Sequence, residues 1–113
     1  MATGTINNPL AVTKNILYQG TGSNPAIVQL ICGRTVTILI QGDIVVASGT
    51  KATIATFSTG IPAISAFAVC AVNSGSSNKY ALFEATANGD LVVYNYSGVR
   101  TSYLFGSVTY IVE

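Results

Sequence analysis

The chain has 113 residues, half of them hydrophobic and 8% charged, with five basic and four acidic side chains and a net charge of +1. That length fits one domain, taken here as 1–113, able to bury a core without a metal or disulfide scaffold. The charge balance offers no field for phosphate, which argues against nucleic acid as a ligand.

Mean hydropathy is +0.54. Even so, the longest apolar stretch, Ile64 to Val72, contains Ser65 and falls well below the roughly 18 residues of a spanning helix, against membrane insertion. A surface this poor in charge implies that part of it belongs to a partner. The opening Met1-Ala2-Thr3-Gly4-Thr5 has neither a basic nor an apolar leader region, so synthesis in a cytoplasm without a signal peptide is expected.

Apolar residues recur at every second position, and Gly, Thr, Ser or Asn interrupts each window before a helix could complete three turns. Residues 1–13 are expected as an extended N-terminal arm, followed by strands at 14–19 and 25–32 around the loop 20–24, with Pro25 at a strand end. From 34 to 42 the alternation is clean, with Val36, Ile38 and Ile40 on one face and Thr35, Thr37 and Leu39 on the other. Further strands are expected at 44–47, 51–57 and 64–72.

The 64–72 strand is apolar on both faces, so its second face needs cover, for which a neighbouring subunit is the natural source. Asn88-Gly89 can take positive φ and predicts a tight hairpin between 79–86 and 90–96. A loop at 97–102 and a last strand at 107–112 complete the chain. The fold class is therefore all-β, an antiparallel jelly-roll or Greek-key sandwich or barrel of about eight strands, with the jelly roll the economical choice.

Chemistry is conspicuous by what is missing. Without histidine the usual general base, metal ligand and Ser-His or Cys-His nucleophile are excluded. Glu84 and Asp90 flank the Asn88-Gly89 turn and could be compared with a glycosidase pair, but two charges beside a turn are the simpler reading. Gly20-Thr21-Gly22-Ser23 lacks the following Gly-Lys and helix of a nucleotide site. Cys32 and Cys70, in apolar runs, are expected as buried thiols, and Asn95-Tyr96-Ser97 as an accidental glycosylation pattern. No cofactor, metal site or enzymatic activity is expected.

Tyr94, Tyr96, Tyr103, Phe105 and Tyr110 crowd the end of the chain beside Asn88, Asn95 and Arg100. Rings with short polar groups suit a sugar, the rings covering C–H patches and the polar groups bonding hydroxyls. Phe105 and Tyr110 are expected instead to fill the core or a subunit interface.

The hairpin Ala87-Asn88-Gly89-Asp90-Leu91-Val92-Val93-Tyr94, a loop, and the closing Gly106-Ser107-Val108-Thr109-Tyr110-Ile111-Val112 resemble receptor-binding head domains of tailed-phage baseplates and tail fibres. The strand from Arg34 with its Gly42-Asp43 ending is similar too. The resemblance implies a β-barrel or jelly-roll head, a homotrimer, a place in the virion among other phage tail or baseplate proteins, and host adhesion through a bacterial cell-surface saccharide.

On that reading Asp90 accepts from sugar hydroxyls, Arg100 donates to a hydroxyl or anionic group, Tyr94 and Tyr103 stack, and Asn88 completes the site. The alternative is a purely structural trimeric β-sandwich of a virion or spore surface, similar in shape to tumour-necrosis-factor or complement-like trimers, with no ligand site.

Overall fold

A strand with one dry face shows how this chain folds. Along β3 (Thr35–Gly42) the side chains of Val36, Ile38 and Ile40 are fully buried, whereas Leu39 between them points outward. Such alternation is the pleat of a half-buried strand. Each fully buried aliphatic side chain stabilises the fold by about 1.5–3 kcal/mol.

The computed structural model describes residues 11–112 except 23, 75 and 76. Its other strands are β1 (Val12–Tyr18), β2 (Ile27–Cys32), β4 (Thr50–Thr56), β5 (Ala66–Ser74), β6 (Ser77–Ala85), β7 (Asp90–Asn95) and β8 (Tyr103–Ile111). Among the described residues there is no helix, and so none long and apolar enough to cross a membrane.

All ladders are antiparallel and join the strands in one sheet of order β1-β2-β3-β8-β5-β6-β7-β4. Within it, the spatial order β8-β5-β6-β7 is a Greek key. The sheet curls into a half-barrel until its edge strands β1 and β4 approach one another. Ile27, Ile38, Phe83, Leu91, Val93 and Leu104 fill the interior.

Gly106 of β8 lies where the curl brings backbones close, since a Cβ there would stand 2.8 Å from Cys70 Cβ and 3.2 Å from the Phe83 ring. The antiparallel order sorts the loops. Those after β1, β3 and β7 gather at an upper end, where β5 ends and Tyr103 begins β8, and those after β2, β4 and β6 at a lower end, where Gly89 turns β6 into β7.

Several expectations need correction. Segment 44–47 is not a strand, although Ile44 and Val46 are buried and Val45 is exposed as alternation demands. Its backbone joins no strand ladder and bonds instead to nearby backbone and to the 95–101 segment, with Ile44 N donating to Gly42 O at 3.0 Å and Thr101 N to Val46 O at 3.1 Å. The Thr101 hydroxyl accepts from Val46 N at 2.7 Å and donates to Ile44 O at 2.6 Å, while Asn95 Nδ2 donates to Val46 O at 2.9 Å.

The last strand starts at Tyr103 rather than 107, because β8 pairs with β3 as far as Gly42↔Leu104. The tight β6–β7 hairpin is present, joined through residues 86–89. Gly89 N donates to Thr86 O at 3.0 Å, Thr86 N to Asp90 O at 2.8 Å, and Gly89 takes φ +85°, so a left-handed glycine closes the turn. Of the proposed arm, residues 1–10 lie outside the described residues, and Val12 and Thr13 already belong to β1.

The two-faced strand is β5. Cys70 and Val72 point into the core, while Phe67 and Val69 face outward at 55% and 60% exposure. Tyr80 and Leu82 of β6 and Phe105 of β8 extend the same outer apolar surface through Val69↔Leu82, Ala71↔Tyr80 and Ala71↔Phe105. Phe105 thus lies outside the core, unlike Tyr110, which is buried within it. Cys32 and Cys70 form no disulfide; Cys70 is buried, Cys32 only partly, and burial pushes the Cys70 thiol up to about 11.

Candidate functional site

Three concavities gather polar side chains, and they divide the expected site residues among them. A lower cavity of about 500 Å3 lies between the approaching edges β1 and β4 and the β6–β7 hairpin. Asn88 and Asp90 line it from the hairpin, Asn15 from β1, Gln29 from β2, and Phe57 and Thr59 from the segment after β4.

The frame of this cavity is tightly bonded. Phe57 N donates to Gly89 O at 2.8 Å, and a Cβ on Gly89 would stand 2.2 Å from Phe57 O, so only glycine allows the hairpin this close. The Thr86 hydroxyl accepts from Asn88 N at 3.2 Å and Asp90 N at 3.0 Å, which stiffens the turn. Gln29, fully buried, donates to Thr59 O at 2.9 Å and accepts from Asn15 Nδ2 at 2.9 Å. Below them, Tyr110 OH donates to Gly60 O at 2.6 Å, and burial pushes this phenol up to about 12.

The lining thus combines three amides, a carboxylate and threonine hydroxyls with one aromatic neighbour, and no basic side chain. Amides offer donors and acceptors together, and a carboxylate accepts only, which is the complement of a hydroxyl-rich neutral molecule.

Tyr94 lies elsewhere, on the outer face of β7. Its hydroxyl donates to Glu84 Oε1 at 2.5 Å, and Lys51 Nζ stands 5.7 Å from its ring centroid. The Tyr94 bond, aided by one from Ser65, holds the Glu84 carboxyl below its ordinary range, while the same Glu84 contact raises the Tyr94 phenol. Tyr94, Glu84 and Lys51 line a small depression of about 250 Å3. Glu84 therefore faces the outer depression and Asp90 the lower cavity, and a lowered carboxyl is the reverse of what a general acid needs.

Tyr103 belongs to the upper end, in a cavity of about 410 Å3 that also contains Asn24, Gln41 and Asp43. Its ring packs on Phe105 with centroids 4.7 Å apart and planes tilted by 38°. Arg100 is exposed on the β7–β8 loop and lines none of these three cavities. The structure thus brings Asn88 and Asp90 together and separates them from Tyr94, Arg100 and Tyr103.

Asn15 and Gln29 were missed, and their signal is a polar residue standing in an inward-facing register, as Gln29 does between Ile27 and Ile31. Asn95 is buried, with Nδ2 bonded to Val46 O and Val99 O at 2.9 Å each, so the Asn95-Tyr96-Ser97 triplet offers no accessible amide. Among the described residues no group of three His, Cys, Asp or Glu side chains could hold a metal.

The described residues form a curled, eight-stranded antiparallel half-barrel that contains a Greek key. No protein-family model matches the chain, and no curated protein matches its sequence. Among solved structures, the fold is similar to the head domain of phage bIL170, reported in connection with a common fold for the receptor-binding domains of lactococcal phages. The TM-score is 0.69 at 13% identity, covering 91% of this chain and 100% of that one. The chain therefore has the fold of a phage receptor-binding head.

Proposed function

We propose that the chain is a host-adhesion domain of a phage tail or baseplate that recognises a bacterial surface saccharide through its lower cavity. The observation that carries this reading is the convergence of Asn88 and Asp90 with Asn15 and Gln29 in one polar concavity, on a fold similar to that of a phage receptor-binding head. Asp90 accepts from ring hydroxyls, Asn88 and Asn15 both donate and accept, and Phe57 gives the apolar wall.

The domain acts as a homotrimer attached to other tail proteins in the virion. Support comes from the outer surface of Phe67, Val69, Tyr80 and Leu82, which has no cover among the described residues. Covering even a few hundred Å2 of it at about 25 cal/mol per Å2 contributes several kcal/mol per subunit. Sites of modest affinity, repeated on each subunit and on many copies, then suffice for adhesion.

The same outer surface also fits the structural reading, a trimer without a ligand. Calorimetric titration with solubilised cell-wall polysaccharides from a panel of bacteria separates the two. Saturable binding that Asp90→Ala and Asn88→Ala each weaken supports adhesion. Absence of binding across the panel by a correctly assembled protein supports the structural reading.

A further inference from the structure

The upper cavity is a different kind of place from the lower one. It lies at the opposite end of the sheet, between the β1–β2 loop, the end of β3 and the start of β8. Its floor is fixed by backbone bonds, with Gln41 N donating to Ala26 O at 2.8 Å and Ala26 N to Tyr18 O at 2.9 Å. A Cβ on Gly42 would stand 2.4 Å from Ala26 Cβ, so the end of β3 and the segment before β2 meet there as closely as glycine permits.

Among the described residues, Asp43 is the one charged side chain lining this cavity. Thr21 fixes it from one side, its amide donating to Oδ1 at 3.3 Å and its hydroxyl bonding Oδ2. These bonds hold the Asp43 carboxyl below its ordinary range, so it is ionised at neutral pH. Tyr103, Asn24 and Gln41 line the same space.

We infer that this cavity is a second ligand site, selective for a group bearing a protonated amine, such as an amino sugar with a free amine or an aminoacyl ester. A fixed carboxylate with no basic side chain beside it repels anions and forms its strongest hydrogen bonds with N–H of an ammonium. The Tyr103 ring adds a π surface for the same charge, and the two amides accept or donate to whatever carries it. A neutral acetamide of the same shape gains neither the ion pair nor the cation–π contact. The inference goes beyond saccharide adhesion at the lower cavity and does not depend on it.

The test is 15N–1H correlation spectroscopy of the intact chain during titration with glucosamine and, separately, N-acetylglucosamine, which share a ring and differ in the charge at one nitrogen. Glucosamine is expected to shift the amides of Thr21, Gly42 and Tyr103 saturably, and N-acetylglucosamine to leave them in place. Asp43→Asn should weaken the glucosamine response about tenfold or more. Tyr103→Leu, which leaves Thr21 and Asp43 untouched, should weaken it too.

Equal shifts with both sugars, or an undiminished response in Asp43→Asn, would overturn the assignment. A glucosamine response confined to Gly89 and Asp90 would also overturn it while supporting adhesion at the lower cavity. Silence of Gly89 and Asp90 toward cell-wall polysaccharide counts against adhesion alone and leaves the upper site standing.

Discussion

The hydroxyl of Thr101 is held between two backbone groups of a distant segment, donating to Ile44 O and accepting from Val46 N, and all three are shielded from water. Thr101→Val keeps the shape and removes both bonds. Two buried backbone groups are then left without partners, at about 1–3 kcal/mol each. Urea unfolding should show a loss of roughly 2–6 kcal/mol, and Thr101→Ser should recover most of it. A Thr101→Val protein as stable as the parent would mean that this contact does not hold the segment.

Gly49 and Gly89 both have positive φ, of +77° and +85°, yet a Cβ on Gly49 meets nothing within 4 Å and one on Gly89 meets Phe57 O. Gly49→Ala should cost about 1–2 kcal/mol, the left-handed penalty alone. Gly89→Ala should cost roughly 1–3 kcal/mol more, because the hairpin must also move away from the segment after β4. Equal losses of melting temperature in the two variants would show that the hairpin can yield without cost.

Of the six tyrosines, Tyr110 should ionise at about 12, since burial keeps its proton on. A phenol whose folded value is raised contributes stability that is complete below the unfolded value of 10.0 and is lost as pH rises through about 12. Ultraviolet titration should lose its most alkaline step in Tyr110→Phe. That variant should also show a smaller fall in melting temperature across the same alkaline range.

Val69 projects from the outer face at 60% exposure, so Val69→Asp perturbs no core contact. The variant should keep the β circular-dichroism spectrum of the parent. Light scattering should give a mass near 11.7 kDa in place of about three times that value for the parent. A parent that already scatters as a monomer would remove the trimer, and a Val69→Asp trimer would move the interface to another face.

How much of this was legible in the sequence depends on the distance over which each feature is determined. The β3 alternation and the β6–β7 hairpin are local, and both are present as strand and turn. Segment 44–47 carries a strand's alternation because burial of Ile44 and Val46 imposes it whatever satisfies the backbone. The satisfying groups, Asn95 and Thr101, are remote in sequence, and nothing near 44–47 announces them.

The candidate site divides in the same way. Asn88 and Asp90 share a cavity because one hairpin carries both. Arg100 and Tyr103 are close to them in sequence but belong to the upper end, a consequence of β7 running the length of the sheet before the chain turns back. Asn15 and Gln29 reach Asn88 only because the curl brings β1 toward β4, and no local pattern encodes that closure.

The approach of β1 and β4 also bears on the hazard of strand-to-strand aggregation in so weakly charged a chain. Five basic and four acidic side chains are a thin electrostatic guard for a sheet of eight strands. An open sheet of this composition would offer two long rows of unpaired amides and carbonyls to any passing strand. Curling turns those rows toward each other across a polar cleft, so protection against runaway cross-strand stacking resides in the strand order itself. Substitutions that flatten the curl should therefore promote fibril formation before they abolish β structure.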